Sequence, residues 1–165
     1  MNIKIFTDGS CVKKGNCSKA SYGYYMTIDN EIYEDYRLLD GEKTNNKAEI
    51  SGIILALEML NEFVQENDKV SIYSDSEYTI KSLTEWIINW KKNGWKTANK
   101  KPVKNVELIK KMDELYESVT SKCHNIEIKH IMAHQKEPTK DTLEWQLWYG
   151  NNKVDCELRK LTTFS

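Results

Sequence analysis

The chain has 165 residues and a mass of 19.3 kDa, a size that fits one domain and needs no second. Such a chain buries roughly 70% of the surface its unfolded form exposes, enough for a real core. With 24 Lys and Arg against 25 Asp and Glu, the total charge identifies no polyanionic partner, which has to be sought in local patches.

The N-terminus opens directly on a strand pattern, without the charged and apolar regions of a secretory signal, and no apolar run approaches a membrane span. The chain is therefore expected to be soluble and intracellular, and a start at Met1 followed at once by a strand suggests a free-standing protein. Period-two and β-branched or aromatic patterns mark strands near 2 to 8, 20 to 29 and 31 to 40, with Asp29-Asn30 as a hairpin turn. A helix follows Thr44-Asn45-Asn46-Lys47, capped by Thr44 or Asn45, with Ala48, Ile53, Leu55, Ala56, Leu57, Met59 and Leu60 as its apolar face. Further strands read near 69 to 74 and 125 to 131, and further helices near 76 to 92, 105 to 121 and 150 to 162. A hairpin unit joined to βα crossovers predicts a mixed sheet covered by helices on both faces. Cys11, Cys17, Cys123 and Cys156 lack zinc-ribbon spacing and read as reduced thiols.

Four acids stand at telling places in this pattern. Asp8 ends the apolar run from Ile3, Glu49 lies one turn into the first helix, Asp75 ends the strand from Val70, and Asp155 sits in Asn151-Asn152-Lys153-Val154-Asp155. Strand ends in α/β sheets are where ligands bind, so Asp8 and Asp75 meet if their strands are neighbours. Converging, the four acids make an all-oxygen site of the kind hard divalent cations prefer, which points to phosphoryl chemistry. Two cations so held clamp the attacking and leaving oxygens of an in-line displacement on a phosphodiester. Taken singly, each acid has a structural reading as turn former, helix-dipole complement or surface charge; their joint occurrence outweighs it.

Two further stretches stand out. From Trp90 to Lys104 the chain carries Lys repeatedly and no acid, with interleaved indoles, and Trp86 and Trp90 share a helical face. This is either a nucleic-acid-binding surface or a solvated charge run with core tryptophans. From Gln135 to Tyr149 runs an extended loop containing Trp145 and Trp148. Trp145, Leu147 and Trp148 are expected to pack back on the domain.

Thr7-Asp8-Gly9-Ser10-Cys11, Thr44 to Glu49, Ser74 to Tyr78, Trp86 through Asn105, Ala133-His134 and Gly150 to Asp155 recur here in an order and near spacing that resemble type 1 ribonuclease H, in its form with a basic protrusion. The resemblance implies a ribonuclease H-like fold, a five-stranded mixed sheet in the order 3-2-1-4-5, spanning residues 1 to 165 as one catalytic domain with the protrusion near 87 to 104. It implies a cytoplasmic monomer that hydrolyses the RNA strand of RNA/DNA hybrids, leaving 5′-phosphate and 3′-hydroxyl ends. It also implies Mg²⁺ as the metal, two ions with Mn²⁺ as substitute, held by Asp8, Glu49, Asp75 and Asp155, with Asp8 bridging. His134 is implied to assist proton transfer or product release.

By the same resemblance, Ser10, Cys11, Asn16, Asn45, Asn46 and Glu77 sense 2′-hydroxyls of the RNA strand. Thr44, Trp86, Trp90 and Asn105 make a phosphate pocket for the DNA strand, and Lys91, Lys92, Trp95, Lys96, Lys100, Lys101 and Lys104 belong to the protrusion. This chain departs from the family in Glu77, where many members carry an uncharged residue, in the scarcity of Gly and Pro after Asp8, and in the length of the 135 to 149 stretch. A DNA nuclease or resolvase on the same fold, or a non-catalytic hybrid-binding module, are the alternatives.

Overall fold

The computed structural model describes all residues except Asn16, Phe164 and Ser165, together with the side chain of Cys17. Five strands, β1 (Asn2–Lys14), β2 (Cys17–Ile28), β3 (Glu31–Leu38), β4 (Lys69–Ser74) and β5 (Ile126–His130), form one sheet in the order β3-β2-β1-β4-β5. The first three strands pair antiparallel, and β4 and β5 add on in parallel, which gives the mixed sheet expected. Asp29 at φ 54° turns the β2-β3 hairpin.

β1 is longer than its apolar run. Its parallel pairing with β4 stops at Thr7 opposite Ser74, while its antiparallel ladder with β2 continues from Asp8 to Lys14. The exposed Val12, Lys13 and Lys14 carry no alternation that marks them as strand; the β2 ladder holds them. Asp8 therefore sits just beyond the edge where β4 falls away.

Helix α1 (Asn45–Phe63) is capped by Thr44, whose side-chain oxygen accepts from the Lys47 amide at 3.1 Å. It is buried from Ile50 to Leu57 between the sheet and α4 (Val106–Lys122), and Ile50, Ile53, Leu57, Leu60, Ile109 and Met112 join Ile3, Ile5 and Ile72 in the main core. The pattern near 76 to 92 is a run of α2 (Glu77–Lys81), a π turn over Ser82–Trp86 and α3 (Ile87–Lys92). On the opposite sheet face, α5 (Leu143–Thr162) packs Val154 and Leu158 against Phe6, Tyr25 and Tyr73. Gly150 permits this approach, since a Cβ there would lie 2.4 Å from the Phe6 ring.

The start of the last helix also differs from the sequence expectation. The stretch 135 to 149 is a loop only as far as Thr142, and α5 (Leu143–Thr162) contains the rest. Thr142 caps the helix by accepting from the Trp145 amide at 3.1 Å, and Glu144 stands in the first turn. Thr142 before Leu143, Leu147 and Trp148 was the readable signal for this start. Among the described residues, no helix is long and apolar enough to cross a membrane.

Candidate active site

Asp8, Glu49 and Asp75 each bring a carboxylate oxygen to within 4.8 Å of the others. The close approach is built into the backbone. A Cβ on Gly9 would lie 2.2 Å from the Ala48 carbonyl carbon and 2.3 Å from the Glu49 amide, and one on Gly52 would lie 2.7 Å from the Asp8 carbonyl. Two glycines thus let α1 settle on β1 where Asp8 and Glu49 emerge, and the adjacent end of β4 supplies Asp75.

Asp8 is buried at 5% exposure, and its Oδ1 accepts from the Gly9 amide at 2.8 Å. Burial, then the Asp75 charge, pushes its pKa up to about 8. Burial and next the Asp8 charge hold the Glu49 carboxyl well above the usual carboxylate range. Asp75 is raised by burial, with Asp155 adding to the rise and Asp8 and His134 working against it. Although the Glu49 side chain is half-buried as a whole, its Oε2 is buried and meets no donor. Three mutually repelling carboxylates with an unpartnered buried oxygen are a poor arrangement for a stable protein and a good one for an oxygen-liganded divalent cation. The donor set fits such an ion.

Asp155 stands beside this triad. Its carboxylate pairs with Arg159 Nη2 at 3.1 Å, one turn along α5, and it lines a small cavity with Asp75, His134, Trp148, Asn151 and Asn152. His134 is brought there by the loop after β5, in the left-handed conformation at φ 55°. All five predicted catalytic side chains thus lie in the cluster or on the cavity rim, joined at Asp75, and Asp155 is the member paired with a neighbouring cation. Sequence reasoning missed Trp148, Asn151 and Asn152, although they precede Asp155 at helical spacing on the same stripe.

The remaining predicted contacts fall into groups. Thr44, Asn46, Lys104 and Asn105 line one cleft of about 600 Å³ between the starts of α1 and α4. Asn45 is exposed beside them at the start of α1. Asn105 donates from Nδ2 to the Tyr78 hydroxyl at 3.5 Å, Tyr78 meets Trp86 edge-on at 5.8 Å, and Trp86 lies 5.8 Å from Trp90. Ser10 and Cys11 lie half-buried on the β1 extension, and Asn16 is outside the described residues. Glu77 is exposed in the first turn of α2, after the Ser76 cap, where its charge complements the helix dipole.

The basic segment divides. Lys92 at the end of α3, Lys96, Lys100 and Lys101 on the loop closed by the Lys96 to Pro102 bridge, and Lys104 just after it are all exposed. Lys91 instead turns to α4, 2.7 Å from Asp113 and 2.8 Å from Glu117. Trp95 packs against the main core under Lys110, whose Nζ is 5.3 Å from its ring centre. Lys91 is thus held by acids, and Trp95 by apolar groups, that are distant in sequence.

The family model described as RNase H matches residues 1–160. A protein of Albidiferax ferrireducens named Ribonuclease H is 35% identical over 160 residues, covering 96% of this chain and 97% of that one. Another named Ribonuclease H, from an Enterobacter species, is 40% identical over 139 residues, covering 82% of this chain and 80% of its own. The solution structure of the RNase H domain of PFV superposes with a TM-score of 0.72 at 24% identity, over 97% of this chain and 93% of that domain, a likeness of fold. The chain belongs to the ribonuclease H family.

Proposed function

We propose that this protein is an endonuclease that hydrolyses the RNA strand of RNA/DNA hybrids, leaving 5′-phosphate and 3′-hydroxyl ends. The observation that carries this reading is the approach of Asp8, Glu49 and Asp75 to within 4.8 Å, with Glu49 Oε2 lacking any donor. Asp8, Glu49 and Asp75, with Asp155 on the adjoining rim, would hold Mg²⁺ as two ions, or Mn²⁺ in its place. Bound there, the cations supply Lewis acidity toward the attacking water and the departing 3′ oxygen. The protein's own part is to fix the carboxylates against their mutual repulsion and to exclude bulk water from Asp8. His134, on the loop facing Asp75, takes or gives the proton that the displacement moves.

Hybrid specificity rests on two surfaces flanking this cluster. Ser10, Cys11, Asn45, Asn46 and Glu77 face the RNA strand, where the 2′-hydroxyl separates RNA from DNA, and Asn16, outside the described residues, is assigned to that strand by the family resemblance alone. Thr44, Asn105, Trp86 and Trp90 receive a phosphate of the DNA strand. Lys92, Lys96, Lys100, Lys101 and Lys104 act as a basic protrusion by displacing counterions from the backbone. The enzyme acts as a cytoplasmic monomer.

Cleavage assays on matched RNA/DNA, RNA/RNA and DNA/DNA duplexes in Mg²⁺ or Mn²⁺ test the reading. Cleavage of the RNA strand of the hybrid alone is expected; cleavage of DNA/DNA instead makes the chain a DNA nuclease, and hybrid binding without cleavage makes it a binding module. Within the basic segment the lysines should separate by role. Replacing Lys96, Lys100 and Lys101 together by Ala raises KM several-fold, flattens its salt dependence and leaves kcat near wild type. Lys91→Ala, which leaves the partly buried Asp113 without its cation, lowers the melting temperature instead. A fall in kcat alone for the triple variant removes the protrusion from substrate binding.

A further inference from the structure

The loop that carries His134 is tied down by two indoles. Trp148 Nε1 donates to the Gln135 carbonyl at 3.0 Å, and Trp145 Nε1 donates to Glu137 Oε1 at 2.9 Å. Before these ties, the Ile131 amide donates to the Ser74 carbonyl at 2.9 Å; after them, Thr142 Oγ1 donates to the Thr139 carbonyl at 2.7 Å. Among the described residues, the two indole bonds are the hydrogen bonds that join residues 132 to 138 to the rest of the fold. Ala133 to Glu137 are otherwise exposed, and Met132 is 63% exposed, so packing contributes little to their order.

The indoles themselves are anchored. Trp145 stacks on Tyr149 at 5.1 Å and 21°, Tyr149 meets Tyr25 edge-on at 5.8 Å, and Tyr25 lies 6.3 Å from Phe6 in the core beneath α5. Trp145 and Trp148 are 6.3 Å apart, and Trp148 also lines the cavity that holds Asp75, His134 and Asp155. A continuous aromatic series therefore links the sheet to the residue next to His134.

We propose that Trp148 is a positioning residue, with Trp145 as a second tie, that holds the His134 loop against the carboxylate cluster and so sets the rate of the proton transfer that His134 performs. The physical basis is geometric. Proton transfer needs the imidazole within hydrogen-bond reach of the reacting oxygen, and a displacement of about 1 Å can cost roughly a hundredfold in rate. Gln135 is the neighbour of His134 in sequence, so fixing its carbonyl restricts the His134 backbone directly. This inference rests on hybrid cleavage with His134 as the proton carrier.

Trp148→Phe keeps an aromatic ring beside Trp145 and removes the N–H. Cleavage of a hybrid with Trp148→Phe should show kcat about tenfold lower and KM within about twofold of wild type. On a His134→Ala background the same substitution should add no further loss, because the residue it positions is gone. Hydrogen exchange read by mass spectrometry should show residues 132 to 137 exchanging faster, with β5 and α5 as protected as before. Trp145→Phe, which cuts the tie to Glu137, should act in the same direction by a smaller factor. An unchanged kcat in Trp148→Phe, an equal loss on the His134→Ala background, or unchanged exchange in the loop overturns the proposal. A wild-type chain that leaves the hybrid intact defeats the proposed function instead, and the exchange measurement still decides whether Trp148 orders the loop.

Discussion

Asp8→Asn should lower hybrid cleavage by roughly a thousandfold or more while the fold stays intact, the scale set by several kcal/mol of lost transition-state stabilisation. The amide is nearly isosteric with the carboxyl, and its Oδ1 can still accept from the Gly9 amide, so the bond seen at 2.8 Å survives. What disappears is the negative charge shared most closely with Glu49 and Asp75. Asp75→Asn should behave alike. Asp155→Asn should cost less, because Asp155 lies outside the three-carboxylate cluster and divides its charge with Arg159. Single-turnover cleavage in Mg²⁺, with circular dichroism as a check on folding, measures the ranking. A well-folded Asp8→Asn within tenfold of wild type would mean that the chemistry takes place elsewhere on the molecule.

The sheet was legible because its strands follow alternation and its central members are short apolar runs. Its order needed the family resemblance, since no periodicity says which strands are neighbours. Three acids came together as expected because two of them stand where β1 and β4 stop pairing and the third leans over from α1. The glycines that make this approach possible, Gly9 and Gly52, carry no pattern of their own: what matters at each is the backbone atom waiting 2.2 to 2.7 Å from an absent Cβ.

Other features depended on contacts between distant segments. The continuation of β1 through Val12, Lys13 and Lys14 reflects its ladder with β2 and not its own side chains. Lys91 reads as one more cation in a basic run, yet Asp113 and Glu117 on α4 claim it. The start of α5 could have been read from Thr142 and the apolar spacing after it, but the run of polar residues before it looked like one long loop. Of the three residues expected to pack back, Leu147 packs against the core beneath α5, while Trp145 and Trp148 lie outside that core and reach the loop before α5 through their indole N–H groups.

The clustered acids also dictate how stability changes with pH. In the absence of metal, the folded pKa of Asp8 is raised from 3.8 to about 8, and those of Glu49 and Asp75 are raised above their ordinary 4.5 and 3.8. A carboxyl whose folded pKa lies above its unfolded one binds its proton more tightly when folded. Its contribution is complete below the unfolded value and is lost as pH rises through the folded value. The metal-free protein therefore loses stability from this cluster between about pH 4 and pH 8, on the order of a few kcal/mol. Glu42, Asp68 and Glu157 are shifted down and work in the opposite sense, losing stability as pH falls through their folded values. The cluster is isolated by comparing wild type with Asp8→Asn in chelator. Their melting temperatures should diverge as pH rises from 5 to 9, with the variant the more stable at the alkaline end. Mg²⁺ should then raise the wild-type melting temperature more at pH 8 than at pH 5, because the ligands must be deprotonated to hold it, and raise that of Asp8→Asn much less. Parallel curves for the two proteins across this range would show that Asp8 is ionised at ordinary cost in the fold, and that the crowding of the three carboxylates does not strain the metal-free state.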